Sequence, residues 1–154
     1  MLRFIHAADF HLDSAFAALT PRQAAARRRE SRELPVRLAN YVNQNNIDLV
    51  LLAGDLFDSA ASYRDTAEEL SAALRQMEAQ VYIAPGNHDW YGPGSPYLTV
   101  KWPENVHIFT QPRLETMEWP EKNLALHGAA FTHREQANGF LSGFTAPADG
   151  KLHI

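Results

Sequence analysis

Three short polar clusters in this sequence bring together side chains that bind metal ions. They are Asp9-Phe10-His11, Gly54-Asp55-Leu56-Phe57-Asp58 and Gly86-Asn87-His88-Asp89. Together they offer carboxylates, imidazoles and an amide oxygen, and the chain contains no cysteine. That donor set suits the harder divalent cations Mn, Fe(II) and Mg, and also Zn. On an extended segment, residues two apart point to one side, so Asp9 and His11 are expected to share an ion. Asp55 follows a glycine that permits a tight turn, and its two carboxylate oxygens can bridge two ions. Asn87 follows Gly86 in the same way, with an amide oxygen for a second ion, and His88 is then free to donate a proton. Taken singly, each cluster has an ordinary explanation: a turn, a backbone cap or a surface pair. Their weight comes from being three, each placed after an apolar stretch.

Those stretches read as strands. Leu2 to Ala8 reads as a buried strand, Asp48 to Ala53 as a central strand covered on both faces, and Val81 to Ala84 as a third, broken by Pro85-Gly86. Between them lie helices. Thr20-Pro21 is a helix start, a capping hydroxyl before a proline at the first helical position. Leu34, Leu38, Tyr41 and Val42 recur at helical spacing within Gln23–Asn45, where Pro35 predicts a kink or two helical pieces. Ser62 and Asp65 resemble a capping box, and Leu70, Ala73, Leu74 and Met77 form the stripe of the helix behind it. The order strand, helix, strand, helix, strand predicts an α/β fold with parallel strands and helices on the faces of the sheet. After Gly92 short strands follow at Val106–Phe109, Leu114–Met117 and Leu124–His127, expected to be antiparallel or mixed. Because ligands bind at the carboxyl ends of the strands in open α/β sheets, the three clusters are expected to meet there.

Composition narrows the class. With 154 residues, 45% hydrophobic and 21% charged, the chain reads as one ordinary globular domain. No apolar run is long enough to cross a bilayer, and the N-terminus lacks the pattern of a signal peptide, so a cytoplasmic protein is expected. The net charge of -4 argues against binding nucleic acid through bulk positive charge, although bound cations would reverse the local field.

The clusters together resemble the signature of calcineurin-like metallophosphoesterases. The text His6-Ala7-Ala8-Asp9-Phe10-His11-Leu12-Asp13-Ser14 with Ala53-Gly54-Asp55-Leu56-Phe57-Asp58 is similar to one branch, the SbcD nucleases and their YhaO-type relatives. The resemblance implies a mixed sheet within a metallophosphoesterase sandwich. It implies two divalent metal ions, Mn foremost, with Asp9 and His11 on the first, Asp55 bridging and Asn87 on the second. His88 would be the catalytic histidine, and Asp58 and Asp89 would orient neighbours. The activity implied is hydrolysis of a phosphodiester by a water that two ions, roughly 3.5–4 Å apart, activate. The implied setting is the nuclease subunit of a DNA repair exonuclease, with DNA, an SbcC-like ATPase and a second copy of the full-length protein as partners.

The sequence departs from the pattern late. The family completes its site with further histidines, two of them in Gly-His-x-His, which is absent. His127-Gly128 imitates another of these motifs but reads as a strand end, and Lys151–Ile154 reads as a strand leading into the true motif. Residues 1–154 are therefore expected to be the N-terminal portion of the domain, and a poor hydrolase by themselves. His6, His107, His133 and His153 read as strand or surface residues, and Arg27-Arg28-Arg29 as a solvated helix face or a phosphate contact. Trp90 and Tyr91 could stack on a base or cover the core. Two alternatives stand beside the nuclease: a metallophosphoesterase acting on a nucleotide or other small phosphoester, and a non-catalytic module if the protein ends at Ile154.

Overall fold

The computed structural model describes residues 1–59, 64–137 and 139–154. Strand β1 (Phe4–Ala7) leads through helix α1 (Pro21–Gln44) to β2 (Leu49–Ala53), and helix α2 (Arg64–Arg75) leads on to β3 (Gln80–Ala84). A short helix α3 (Pro96–Thr99) precedes β4 (Val106–Ile108). Strands β5 (Glu115–Trp119), β6 (Leu124–Gly128) and β7 (Leu152–His153) complete the chain. β1 to β4 form one parallel sheet in the order β1-β2-β3-β4. β5, β6 and β7 form a second, with β5 antiparallel and β7 parallel to β6. β4 thus extends the parallel sheet, where the sequence predicts antiparallel or mixed pairing.

The strand order decides what covers each face. Parallel crossovers are right-handed, so strands that advance in one direction put every crossover helix on the same side. Val50, Leu52, Val81 and Ile83 accordingly meet Ala39 and Val42 of α1 and Ala67, Leu70 and Leu74 of α2 in one core. The opposite face is left for the second sheet. There Leu49 packs with Leu124 and Leu126, while Leu51, Tyr82, Met117 and Trp119 border them. The layers are helices, parallel sheet, second sheet. The helices expected against the parallel sheet thus lie on one of its faces, and the second sheet lies on the other.

Local expectations fare unevenly. Thr20 caps α1, and Gln23 reaches back to its backbone N–H in a full capping box. α1 runs through Pro35 without a break; the proline is buried, so its packing offsets the missing hydrogen bond. The inward face of α1 is Ala24, Pro35, Ala39 and Val42, whereas Leu34 and Tyr41 are exposed. Leu70, Ala73 and Leu74 form the expected buried stripe on α2, and Met77, also buried, lies just past its end. Ser62, proposed as its cap, lies outside the described residues. β1 alternates exposed and half-buried positions instead of being buried, because it is an edge of the described sheet.

β7 is fastened by side chains as well as by its ladder. His127 Nε2 meets His153 Nδ1 at 2.9 Å, and His153 Nε2 meets Asp149 Oδ1 at 2.8 Å. The hydrogen bond from His153, with that from the Lys151 N–H, lowers the Asp149 carboxyl to about 2. A lowered carboxyl contributes stability that is present above its ordinary value and is lost as pH falls through the lowered one. The Asp149 carboxyl carbon should therefore titrate near pH 2 by NMR, and His153→Gln should return it toward the ordinary carboxylate range.

Candidate metal centre

The first two clusters are held side by side because β1 and β2 remain zipped beyond their paired ends. The Asp9 N–H donates to Gly54 O at 3.1 Å, His11 to Asp55 O at 2.9 Å, Leu12 to Leu56 O at 2.9 Å, and Asp58 returns to Leu12 O at 3.0 Å. Leu12, Leu56 and Phe57 are buried and anchor this ladder in the core. The backbone carrying these candidate ligands is not extended. Asp9, His11, Asp13 and Asp55 have φ of 57°, 43°, 69° and 52°. The expectation that Asp9 and His11 share a side because their segment is extended is therefore corrected: left-handed turns bring them together, with His11 Nε2 3.8 Å from Asp9 Oδ1.

The third cluster joins through Gly86 and Asp89. A β-carbon on Gly86 would collide with the carboxylate and backbone of Asp55, so only glycine permits the approach. In return Asp55 Oδ1 accepts the His88 N–H at 2.9 Å. Asp89 is fully buried. Its Oδ1 accepts from Gly86 N–H at 2.8 Å and Asp55 N–H at 3.2 Å, and its Oδ2 from Leu56 N–H at 2.8 Å, Phe57 N–H at 3.2 Å and the Tyr97 hydroxyl at 2.6 Å. Burial pushes its carboxyl above the usual range against the opposing effect of these donors. Burial, and then Asp89 itself, pushes the Tyr97 phenol well above its ordinary value, so Tyr97 serves as a neutral donor.

Asp58 orients both histidines. Its carboxylate meets His11 Nδ1 at 3.0 Å, and its carbonyl oxygen meets His88 Nδ1 at 3.2 Å. Both oxygens accept, so each ring carries its proton on Nδ1 and turns Nε2 outward. A histidine held this way by a carboxylate is the usual form of a metal ligand. The two rings lie edge to face, 4.9 Å apart.

Two groups of donor atoms result, Asp9 with His11 and Asp55, and His11 with Asp58 and His88, each within 4.8 Å. Asn87 borders a cavity of about 490 Å³ together with Asp58 and His88. Among the described residues no lysine or arginine pairs with Asp9, Asp55 or Asp58, leaving their charge to be met by another cation. Oxygen and imidazole donors without that neutralisation fit a divalent metal.

The other sequence candidates lie elsewhere. His127 sits on β6 with both nitrogens engaged, by Thr116 Oγ1 at 3.0 Å and by His153, and belongs to neither donor group. Arg27 and Arg29 pair with Glu30 and Glu33 on their own helix, and Arg28 donates to Ala15 O. Two supports escaped the sequence reading. Tyr97 has no spacing signal at all. Asp13 accepts from Arg32 of α1 at 2.8 Å and Thr66 of α2 at 2.9 Å, fastening the first ligand loop to both crossover helices; its position just after the first cluster was a visible hint.

Comparison with known proteins agrees with this geometry. Residues 2–150 match the family model of the calcineurin-like phosphoesterases, and the chain belongs to that family. It is 33% identical over 162 residues to the protein named uncharacterized metallophosphoesterase YhaO of Bacillus subtilis (strain 168), covering 99% of this chain and 39% of that protein. A transmembrane protein with metallophosphoesterase domain from Danio rerio is 42% identical over 57 residues, 36% of this chain and 12% of that protein. The chain thus spans well under half the length of these relatives. Among the described residues no helix is long and apolar enough to cross a membrane.

Three outcomes are expected. Asp89→Asn replaces one acceptor oxygen by a donor against buried N–H groups, and should lower unfolding free energy by about 2–4 kcal/mol. Tyr97→Phe, which removes a single donor, should cost only about 1 kcal/mol; urea unfolding checks both. Asp58→Ala should weaken Mn(II) binding by about 10–100-fold in calorimetric titration, as loss of an orienting partner does.

Proposed function

We propose that the protein carrying this chain is a metal-dependent phosphodiester hydrolase, the nuclease subunit of a DNA repair exonuclease. The observation that supports it is the meeting of Asp9, His11 and Asp55 within ligand distance of one another, beside His88, at the carboxyl ends of β1, β2 and β3. Asp9, His11, Asp55 and Asn87 would hold two divalent ions, Mn foremost. Such ions, when bound, polarise the phosphoryl group and lower the pKa of an attacking water. His88 has its Nδ1 proton committed to the Asp58 carbonyl, so it is as the imidazolium, with a second proton on Nε2, that it would give a proton to the leaving oxygen or steady the developing charge. An SbcC-like ATPase, a second copy of the protein and a cytoplasmic location complete this reading.

One observation favours a small phosphoester, such as a nucleotide, as the substrate instead. The cavity of about 490 Å³ beside Asn87 and His88 falls in the range of small-molecule sites. Comparing hydrolysis of bis(4-nitrophenyl) phosphate, a nucleotide and duplex DNA ends by the full-length protein with Mn(II) separates the two; turnover of the nucleotide alone would reject the nuclease. In the same assay His88→Ala should lower the rate by about 10²–10⁴-fold and leave Mn(II) affinity nearly intact. His127→Ala should change neither, and the reverse pattern would overturn both assignments.

A further inference from the structure

The cavity beside the metal centre has a second wall that the hydrolytic chemistry does not use. Asp58, Asn87 and His88 line one part of it, and Trp90, Pro93 and Arg134 line another. Arg134 lies on an irregular segment far along the chain, and three backbone hydrogen bonds secure the residues before it. Ala130 N–H donates to Gln111 O at 2.8 Å, Phe131 N–H to Pro85 O at 3.0 Å, and Tyr91 N–H to Phe131 O at 2.7 Å. The last two fix the segment directly against the loop that carries Asn87 and His88.

Among the described residues neither side chain is committed to an ion pair or a ring contact. Among the described residues no carboxylate pairs with the exposed Arg134, whereas Arg27, Arg29 and Arg32 are each matched to an acid. Trp90 is half-buried, and among the described residues its ring stacks on no other ring. An unpaired guanidinium is a planar fork that fits phosphate oxygens, and an indole face accepts any nucleobase by stacking. Both border the cavity that contains His88, so a ligand held by them would bring a neighbouring phosphoester to the centre. A phosphorylated serine or threonine offers neither a second phosphate nor a planar ring.

We propose that Trp90 and Arg134 form a nucleotide subsite of this centre, Trp90 stacking a base and Arg134 holding a phosphate next to the scissile one. The inference rests on the phosphodiesterase reading above and names its specificity residues.

The test uses the full-length protein with Mn(II), single-stranded oligothymidylate and an abasic oligomer of the same length. The wild type should prefer the thymidylate in kcat/KM by about 10-fold, the scale of one base stack. Trp90→Leu should bring that ratio close to one, while Trp90→Phe, which keeps a ring, should retain most of it. Arg134→Gln should raise KM for both oligomers by about 10-fold, with a smaller effect on kcat, and Arg134→Lys should recover part of the loss. A ratio unmoved by Trp90→Leu, or KM unmoved by Arg134→Gln, would overturn the subsite. Anisotropy of labelled oligothymidylate with Ca(II) in place of Mn(II) separates the two readings. Tight binding with Ca(II) that both variants weaken, together with no cleavage by the wild type under Mn(II), would retain the subsite and reject the hydrolase. No binding by the wild type would reject the subsite.

Discussion

A carboxylate at the centre of a protein must be surrounded by donors, and Asp89 collects five of them from three separate stretches of chain: Gly86, Asp55 with Leu56 and Phe57, and Tyr97. Each of these backbone N–H groups lies just past the paired ends of β2 and β3, where the ladder between those two strands has stopped. Left unpaired and buried, each would cost about 1–3 kcal/mol. Asp89 thus solves the problem created by ending two neighbouring parallel strands in the protein interior, and in doing so sets the distance between the second and third clusters. Gly86 is the other half of that solution, since the two loops are close enough to share Asp89 only where no side chain separates them. The placement of Asp55 and His88 follows from a constraint of folding before any requirement of catalysis.

The layer arrangement follows equally from one rule. A sheet that winds in a single direction has its helices on one side and must find another cover for the other. Here that cover is a second sheet, which meets the first through Leu49 and its neighbours. The helices are consequently free to brace the ligand loops from one side only. Asp13, fixed by Arg32 and Thr66, is where that bracing reaches the loop carrying Asp9 and His11.

Much of the candidate site was legible in the sequence because ligand types and strand ends leave strong local marks. Asp9, His11, Asp55, Asn87 and His88 could be named from composition and position relative to apolar runs, together with the resemblance they carry. The path of the backbone between them was not legible, because left-handed φ at Asp9, His11 and Asp55 is imposed by hydrogen bonds to a strand distant in sequence. Periodicity misjudged α1 for a related reason. Leu34 and Tyr41 are apolar at helical spacing, yet the inward face is chosen by what α2 and the sheet present, and small residues such as Ala39 pack there. The parallel pairing of β4 was hidden because three residues of strand do not reveal which neighbour they join. Tyr97 was invisible, being a donor to a buried acid from a short helix with no motif.

The left-handed residues also explain why ligands and loop geometry coincide here. That conformation costs an ordinary L-residue about 1–2 kcal/mol, and aspartate, asparagine and histidine tolerate it better than most side chains do. These are also residues whose short polar side chains bind divalent metal ions. A loop that must turn sharply after a strand therefore favours the same residue types that a metal site requires, with no conflict between the two demands. At Asp9, His11 and Asp55 both are met at once, and the turns aim neighbouring donors into one space. His127 shows the converse. It is a histidine on a regular strand, held by Thr116 and His153 within its own sheet. Residue type is the same in His88 and His127; what separates them is that His88 sits past the end of its strand, where Asp58 holds only its Nδ1, whereas both nitrogens of His127 are engaged.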